Sequence, residues 1–364
     1  MSESSYIMRK VKLSPSWSLS NEKNETLGSE LFVLLDVIRR TGTLAEAAKQ
    51  TKISYRHAWN LVNHWKNFFG SDLVRFTRGK GASLTELGEK LLWAEQRVSA
   101  RVGLQLDSLA SEINLEISRA LVSARSSLTI HASHGYAVAH LPELLKKLPD
   151  LQVDLRYIGA AESLASLNHG DCDLAGFHLP TEGNGKTVID NLSPLWSENR
   201  HRFIHLVTRT QGLFVSPANP RGIESLSDLD TKHIKFVNRQ IGSGTRMLFD
   251  QLLTKKNIES ANIEGYQSEE FTHAAVAAYV ASGMADTGFG VQPAATQFGL
   301  DFIPLAQEKY MFACRSEDVR KTEILELIKL LKSSEFTNYV KKLPGYSAPE
   351  AGKIVTLEEA LAYK

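Results

Sequence analysis

The chain has 364 residues, more than one ordinary domain needs, so two or three domains are expected. A net charge of +1 excludes a polycation, and any nucleic-acid surface must therefore be local. The only two cysteines, Cys172 and Cys314, offer neither a disulfide framework nor a zinc site. Neither an export signal nor a membrane-spanning apolar stretch is apparent, so we expect a cytoplasmic protein with no membrane contact.

The N-terminal quarter has a helical pattern followed by a hairpin pattern. Residues 1–26 are polar and are expected to form a flexible N-terminus. Three short helices are then predicted, in LGSELFVLLDVIRR, LAEAAKQT and YRHAWNLVNHWKNFFG, with Thr43 and Ser54 as N-caps of the second and third. Two β-prone runs flank the basic tip RGKG. This order predicts a winged helix-turn-helix over residues 27–84.

The third helix is the predicted recognition helix, and its exposed side chains would enter the major groove of double-stranded DNA. By bidentate geometry Arg56 suits guanine and Asn60 suits adenine, whereas Lys66 suits a phosphate. Each such charge alone is most simply a solvated surface residue, but as a set on a winged helix they favour DNA contact. The predicted contacts are Ser54, Tyr55, Arg56, His57, Asn60, Lys66, Arg78 and Lys80.

A single long helix is predicted over residues 85–122, because the stretch lacks proline and its apolar residues recur every three or four positions. This seam either packs against its own domain or pairs two chains. A seam of ~30 residues exceeds what a small winged helix can cover, so we favour a linker that forms a homodimer, with a homotetramer left open.

From Ser126 onward, strands alternate with helices, which is typical of an α/β domain. Within it, the strand HIKFV leads into NRQIGSGTRMLFDQLL, where glycines and hydroxyl residues open a helix. The first N–H groups of a helix are unpaired and carry a partial positive charge, so they bind anions. The pattern is neither a phosphate-binding P-loop nor a nucleophile elbow. The candidate ligands here are Arg239, Gly242, Ser243, Gly244, Thr245 and Arg246.

Further candidates lie where other predicted strands end, the usual ligand edge of an α/β sheet. HASHGYAV supplies Ser133, His134 and Gly135, GFHLP supplies Gly176 and His178, and FTHAAVAAYVASGMADTG supplies Thr272, His273 and Asp286. Because a carboxylate repels an anion, Asp286 is expected to orient Arg246 or His273, or to close the lobe. No spacing typical of a metal site or a Ser/His/Asp triad is present, so we expect neither a catalytic residue nor a metal ligand.

Two resemblances follow from these motifs. The stretch TGTLAEAAKQTKISYRHAWNLVNHWKNFFGSDLVRF, the glycine-rich wing and LTELGEKLL resemble the DNA-binding domain of LysR-type regulators, and more closely that of the molybdate-responsive ModE type. Residues 126–345 resemble a type II periplasmic-binding-protein module, which LysR-type regulators use as their sensor. RQIGSGTRMLFDQLL, EEFTHAAVAAYVASGMADTGFGV and SSEFTNYVKKLPGY resemble a branch of that fold associated with molybdate and molybdopterin proteins.

The resemblance implies an α/β fold with a helix-rich N-terminal part: a winged helix-turn-helix, a linker helix and a two-lobed module. Lobe 1 would comprise about residues 126–206 and 302–345, and lobe 2 about 207–301, with 346–364 as a C-terminal tail. LysR-type regulators pair through their linker helix, so a dimer is implied here too.

The expected function is a transcription regulator that senses a small anion and needs no other cofactor. Molybdate or tungstate is the first candidate and formate or another small carboxylate the second. ModE-type regulators sense molybdate with a different, small β-barrel domain, so their effector is not inherited from the N-terminal resemblance. The alternative is an enzyme or an anion-binding transport-related protein with an appended DNA-binding head, although catalysis is not expected.

Overall fold

The structure is a computed structural model that describes residues 11–22, 25–79, 81–121, 126–145, 147–148, 151–181 and 192–361. The chain divides into two compact units. The N-terminal unit comprises residues 14–103, and the C-terminal unit comprises residues 1–13 and 104–364. Within the described residues, no helix is long and apolar enough to cross a membrane.

The N-terminal unit contains the predicted winged helix-turn-helix. Its elements are α1 (Glu30–Thr41), α2 (Leu44–Gln50), α3 (Tyr55–Phe69), and a hairpin in which β3 (Val74–Thr77) pairs with β4 (Gly81–Leu84). Both predicted N-caps are confirmed, because the Thr43 hydroxyl accepts from the Glu46 N–H and the Ser54 hydroxyl accepts from the His57 N–H. Apolar side chains of all three helices form one buried core around Trp65.

The described part of the expected flexible N-terminus includes ordered contacts, whereas residues 1–10, 23 and 24 of that segment lie outside the described residues. Short strands β1 (Leu19–Ser20) and β2 (Thr26–Leu27) pair with each other, and Trp17 stacks on Phe32 of α1 with ring centroids 4.7 Å apart. The indole N–H of Trp17 also donates to Glu95. Two apolar side chains in a polar segment, Trp17 and Leu19, are enough to attach it to the core.

The predicted long helix is confirmed as α4 (Glu86–Leu121), with 36 residues. At 1.5 Å per residue it is about 54 Å long. The boundary between the two units falls within it, after Gly103. Val98, Leu109 and Ile117 on this helix are exposed.

The C-terminal unit is built on one curved, mixed sheet. The spatial order of its main strands is β10-β9-β11-β8-β12-β7-β5-β6. Their bounds are β5 Ser126–Ala132, β6 Leu151–Tyr157, β7 Leu174–Pro180, β8 His201–Val215, β9 Phe236–Arg239, β10 Glu269–Glu270, β11 Thr287–Val291 and β12 Asp301–Arg315.

Helices cover this sheet, as expected for an α/β domain. They are α5 Tyr136–Leu145, α6 Ala160–His169, α7 Asp228–Thr231, α8 Gly244–Lys255, α9 His273–Ala281, α10 Gln292–Gln297, α11 Thr322–Leu331, α12 Ser334–Val340 and α13 Leu357–Leu361. Most connections between neighbouring parallel strands contain one of these helices, which places the helix N-termini beside the carboxyl ends of the strands.

Two long antiparallel strands, β8 and β12, join the two lobes. Residues 308–313 of β12 pair with β7 in lobe 1, whereas residues 211–215 of β8 pair with β11 in lobe 2. The two-lobed fold is therefore confirmed. The change of lobe falls within both strands, a few residues beyond the expected boundaries at 206/207 and 301/302.

Residues 346–361 are not a tail but a part of lobe 1. Strands β13 (Tyr346–Ser347) and β14 (Ile354–Val355) both pair with β8. Val355 and Ala360 are buried in the same cluster as Phe177 and Phe203. The expected tail boundary was therefore wrong. Strands of only two residues leave no recognisable pattern in the sequence, and only their pairing with β8 identifies them.

We expect Val355→Ala to lower the free energy of unfolding by about 1.5–3 kcal/mol, because it removes two buried methyl groups and leaves a cavity. Ile354→Ala is the matched control, since that neighbour is 41% exposed on the opposite face of β14 and should cost no more than about 0.5 kcal/mol. Urea unfolding curves measure both. Equal effects would mean that this segment does not pack as described.

Candidate functional site

The turn that opens α8 faces lobe 1. Gly242 has a φ of 83°, a left-handed conformation that favours glycine, and the Ser243 hydroxyl caps α8 by accepting from the Arg246 N–H at 3.2 Å. A methyl group on Gly244 would lie 3.7 Å from Nδ1 of His178 in β7. The N-terminus of α8 therefore forms the lobe 2 side of a cleft.

The turn before α5 forms the opposite side. The Ser133 hydroxyl lies 3.3 Å from Nδ1 of His178, and the Tyr310 hydroxyl donates to the Ser133 carbonyl at 2.6 Å. A methyl group on Gly135 would lie 3.4 Å from Nη1 of Arg209. The N-termini of α5 and α8 thus line opposite sides of the cleft, and Arg209 lies close to that of α5.

Arg209 of β8 is the central cation of the cleft. It is 2% exposed, and its Nε donates to the Glu308 carboxylate at 2.5 Å. Burial by itself lowers the pKa of Arg209, but the charge of Glu308 outweighs it and raises the pKa above the usual value for arginine. Arg209 is therefore charged at every physiological pH.

Gln211 lies two residues further along β8, on the same face as Arg209. Its Nε2 donates to Oε1 of Glu308 at 2.8 Å and to the Thr245 hydroxyl at 3.2 Å. One carboxylate thus holds both an arginine of the cleft and the amide that contacts the first turn of α8.

Three histidine rings complete the cleft, those of His178 and His273 buried and that of His134 partly exposed. Burial and the charges of Arg239 and Arg209 lower the pKa of His134 to about 3. The same causes hold the pKa of His178 and of His273 well below 6.5. All three rings are therefore neutral at physiological pH.

Several buried side-chain atoms around this cleft have no hydrogen-bond partner among the residues that the structure describes, and we call five of them the unpaired cleft atoms. They are Arg209 Nη1, Gln211 Oε1, His134 Nδ1, His178 Nε2 and His273 Nδ1. Buried polar atoms in a native protein are nearly always paired, so such a concentration in one place indicates a position for a ligand.

Arg239 adds a second cation. Its Nη2 donates to the Phe271 carbonyl at 2.9 Å, and burial together with the charge of Arg209 lowers its pKa to about 9, so it stays protonated at neutral pH. Glu308 is the carboxylate whose charge acts on both arginines. The cleft therefore has one excess positive charge, which suits an anion.

Within the described part of the chain, no group of three or more His, Cys, Asp or Glu side chains could hold a metal ion. The histidines instead lie among arginines, which would repel a cation.

Two predicted ligand residues are used elsewhere. Nε of Arg246 pairs with Asp250 at 3.1 Å, one helical turn away, and its guanidinium lies over the Tyr266 ring at 4.0 Å. Asp286 pairs with Arg221 at 3.4 Å and accepts from the Lys235 N–H at 2.9 Å. The expectation that Asp286 orients Arg246 or His273 was therefore wrong.

Two other candidates have structural roles. Gly176 makes room for Tyr310, because a methyl group there would lie 2.7 Å from the Tyr310 hydroxyl. Thr272 caps α9 by accepting from the Ala275 N–H at 2.9 Å, which places His273 in the first turn.

Sequence reasoning missed Arg209, Gln211, Glu308 and Tyr310. The signal was present, since LVTRTQGLFVS and QEKYMFACR carry polar residues within otherwise apolar, strand-like runs. A charged residue in a central strand must be buried with a partner, and the pairing of β8 with β12 supplies it.

The predicted DNA-contacting face is exposed on the N-terminal unit. Ala58, Val62 and Trp65 bury one side of α3, so Arg56 and Asn60 point away from the core. Tyr55, Arg56, His57 and Arg78 are exposed, as is Lys66, which pairs with Asp72 at 2.8 Å. The predicted contact Lys80 lies outside the described residues.

Two aromatic residues on this face were not predicted. Trp59 of α3 and Phe76 of β3 are 38% and 42% exposed, with ring centroids 5.0 Å apart. Their contact joins the predicted recognition helix to the wing.

The sequence of the C-terminal unit matches a known family. The profile of the PBP superfamily domain matches residues 141–332, more than half of the chain. The chain belongs to the PBP superfamily. The cleft lies within this PBP domain, apart from residues just before its first helix.

Three curated relatives are similar to parts of the chain. YvgK of Bacillus subtilis (strain 168) is 31% identical over 55% of this chain and 64% of its own length. The molybdenum-pterin-binding protein MopB of Rhodobacter capsulatus is 35% identical over 31% of this chain and 44% of its own length. The transcriptional regulator ModE of Yersinia pestis is 40% identical over 17% of this chain and 25% of its own length. The chain thus spans less than two thirds of each of these relatives.

Among solved structures, full-length BenM is 14% identical with a TM-score of 0.44, over 87% of this chain and 98% of BenM.

We expect Glu308→Gln to lower the free energy of unfolding by about 3 kcal/mol, because it leaves the buried Arg209 charge without its counter-ion. Glu335→Gln is the matched control: the Glu335–Lys147 pair is largely exposed and should be worth less than about 1 kcal/mol. Guanidinium unfolding at neutral pH measures both. A loss below about 1 kcal/mol for Glu308→Gln would contradict the described pair.

Proposed function

We propose that this protein is a ligand-responsive transcription regulator, in which the N-terminal unit binds double-stranded DNA and the cleft of the PBP domain binds a small anion. The observation that carries the proposal is the buried, charged guanidinium of Arg209. Its Nη1 lies against the N-terminus of α5 and, apart from the Tyr346 hydroxyl that interacts with the guanidinium, has no partner in the described part of the chain. A cation held this way is stabilised most simply by an anionic ligand.

The DNA-binding half is supported by the winged helix-turn-helix and its exposed face. The tip of α3 presents Tyr55, Arg56 and Asn60, and the wing presents Arg78. The relative ModE of Yersinia pestis, a transcriptional regulator by its name, supports the same role.

Two kinds of anion are candidates. The molybdenum in the name of MopB makes molybdate or tungstate the first. Formate or another small carboxylate is the second, because helix N-termini and arginines bind carboxylates as readily as oxyanions.

Both lobes contribute to the cleft, so a bound anion stabilises the arrangement in which they approach each other. The ligand acts by its different affinity for open and closed lobes, and so shifts their populations. We further propose that chains associate through α4, where Val98, Leu109 and Ile117 are exposed, as a homodimer or homotetramer. In such an assembly, closure of the lobes would change the distance between two DNA-binding units.

An enzymatic function is the alternative, and one pair of residues bears on it. The hydroxyl of Ser133 lies within hydrogen-bond distance of Nδ1 of His178, at 3.3 Å. A hydrolytic dyad needs a basic imidazole, oriented by a group on its second nitrogen. Burial and two arginines hold the pKa of His178 well below 6.5, so the ring is a poor base. We therefore propose that the cleft binds its ligand without catalysing a reaction.

We expect at least one of molybdate, tungstate, sulfate, formate and small organic acids to raise the melting temperature of the purified protein. A ligand at 100 times its Kd should raise it by about 5 °C. Thermal shift at constant ionic strength measures this, with chloride as the control anion. No stabilisation by any of them would refute the anion-sensing half of the proposal.

Arg56→Ala should weaken binding about tenfold or more to a duplex that the wild-type protein selects from a random library, since a bidentate base contact is lost. Fluorescence anisotropy at fixed salt measures the affinity. Arg320→Ala is the charge-matched control, on an exposed residue of the C-terminal unit. Unchanged affinity for Arg56→Ala would show that the assignment of the recognition helix is wrong.

A further inference from the structure

The unpaired cleft atoms are not all donors. An anion that has lost all its protons can only accept hydrogen bonds, and Arg209 Nη1 suits it. Oxygen Oε1 of Gln211 is different, because an amide oxygen can only accept. It is buried, and no described residue donates to it.

The orientation of this amide is fixed by its neighbours. An amide oxygen and nitrogen can be exchanged by a flip, and only the hydrogen-bond network distinguishes them. Here one end of the Gln211 amide lies 2.8 Å from Oε1 of Glu308, which already accepts from Arg209. A carboxylate paired with arginine is an acceptor only, so that end must be Nε2. A flip would place two acceptors against each other inside the protein.

The side chain of Gln211 lies beside residues that line the cleft. Gln211 is on the same face of β8 as Arg209, and its amide also reaches Thr245, the second residue of α8. The preceding residue, Gly244, faces His178 across the cleft. One carboxylate therefore holds a cationic donor and a neutral acceptor near each other at the boundary between the lobes.

We propose that the cleft selects anions that retain a hydrogen-bond donor of their own: a protonated oxyanion, or a carboxylate with a hydroxyl or amino group. Arg209 binds the anionic oxygen and Gln211 Oε1 accepts from the donor. This proposal rests on the proposed function and narrows its effector, placing molybdate, tungstate and formate below ligands that carry an X–H group. Gln211 is thus a specificity-determining residue.

The physical reason is the cost of leaving a buried acceptor unpaired. A ligand without a donor leaves Oε1 buried and unpaired, or places a repelling oxygen against it. A site built around a hydrogen bond discriminates strongly against an analogue that cannot make it. The neutral histidines are compatible with such a ligand, since each neutral imidazole has one donor and one acceptor nitrogen.

The test uses two pairs of anions matched in charge and size. At about pH 8 hydrogenphosphate and sulfate are both dianions, and only the first has an O–H group. Glycolate and acetate are the monoanionic pair. Isothermal titration of the full-length protein should give at least about tenfold tighter binding for the donor-bearing member of one pair. If both pairs lack this preference, the proposal is overturned.

Variants assign the preference to its residue. Gln211→Met keeps the size of the side chain but removes the acceptor, so the affinity ratio within the preferred pair should fall towards one. A purely structural defect would weaken both members alike and leave the ratio. Gln267→Met, the same substitution at an exposed position, should retain the wild-type ratio. If Gln211→Met folds and keeps the ratio, Gln211 is not the selecting residue, and if it fails to fold, the wild-type comparison still decides.

The two proposals fail differently. Binding of molybdate, tungstate or formate with no binding of hydrogenphosphate or glycolate would overturn the donor requirement and leave the anion sensor standing. Binding of no anion at all would overturn both.

Discussion

The pairing of Arg209 with Glu308 is the interaction on which the arrangement of the cleft depends. It joins the two strands that connect the lobes, β8 and β12, and it is almost fully buried. A buried ion pair contributes little net stability compared with apolar packing, but it tolerates no loss of one partner. Its value here is positional: it holds the guanidinium beside the N-terminus of α5, at the cleft between the lobes.

The charge of that guanidinium adds to the effect of burial on its neighbours. Burial, together with the charges of Arg239 and Arg209, lowers the pKa of His134, His178 and His273, so that all three rings are neutral at physiological pH. Glu308 offsets one of the two positive charges. The result is a cleft with a single excess positive charge and both donors and acceptors, which is typical of binding and poorly suited to proton transfer.

The cleft lies between the two lobes of the C-terminal unit. Its walls come from both lobes, and its floor comes from the strands that pass between them. Under the proposed function, a ligand that pairs with atoms on both sides acts on the closure of the lobes as well as on its own site. In the N-terminal unit, the side of α3 that faces away from the core is exposed.

Local patterns in the sequence determined the helices, their caps and the class of fold. Thr43 and Ser54 cap helices because a hydroxyl before an apolar run satisfies N–H groups only a few residues away. What only the tertiary structure decided is which polar residues meet. Arg209 and Glu308, which form an ion pair, are 99 residues apart. Arg246 pairs with Asp250, and Asp286 pairs with Arg221. The segment after Gly345 packs on β8. Such contacts depend on strand register and burial, which a linear pattern of residues does not contain.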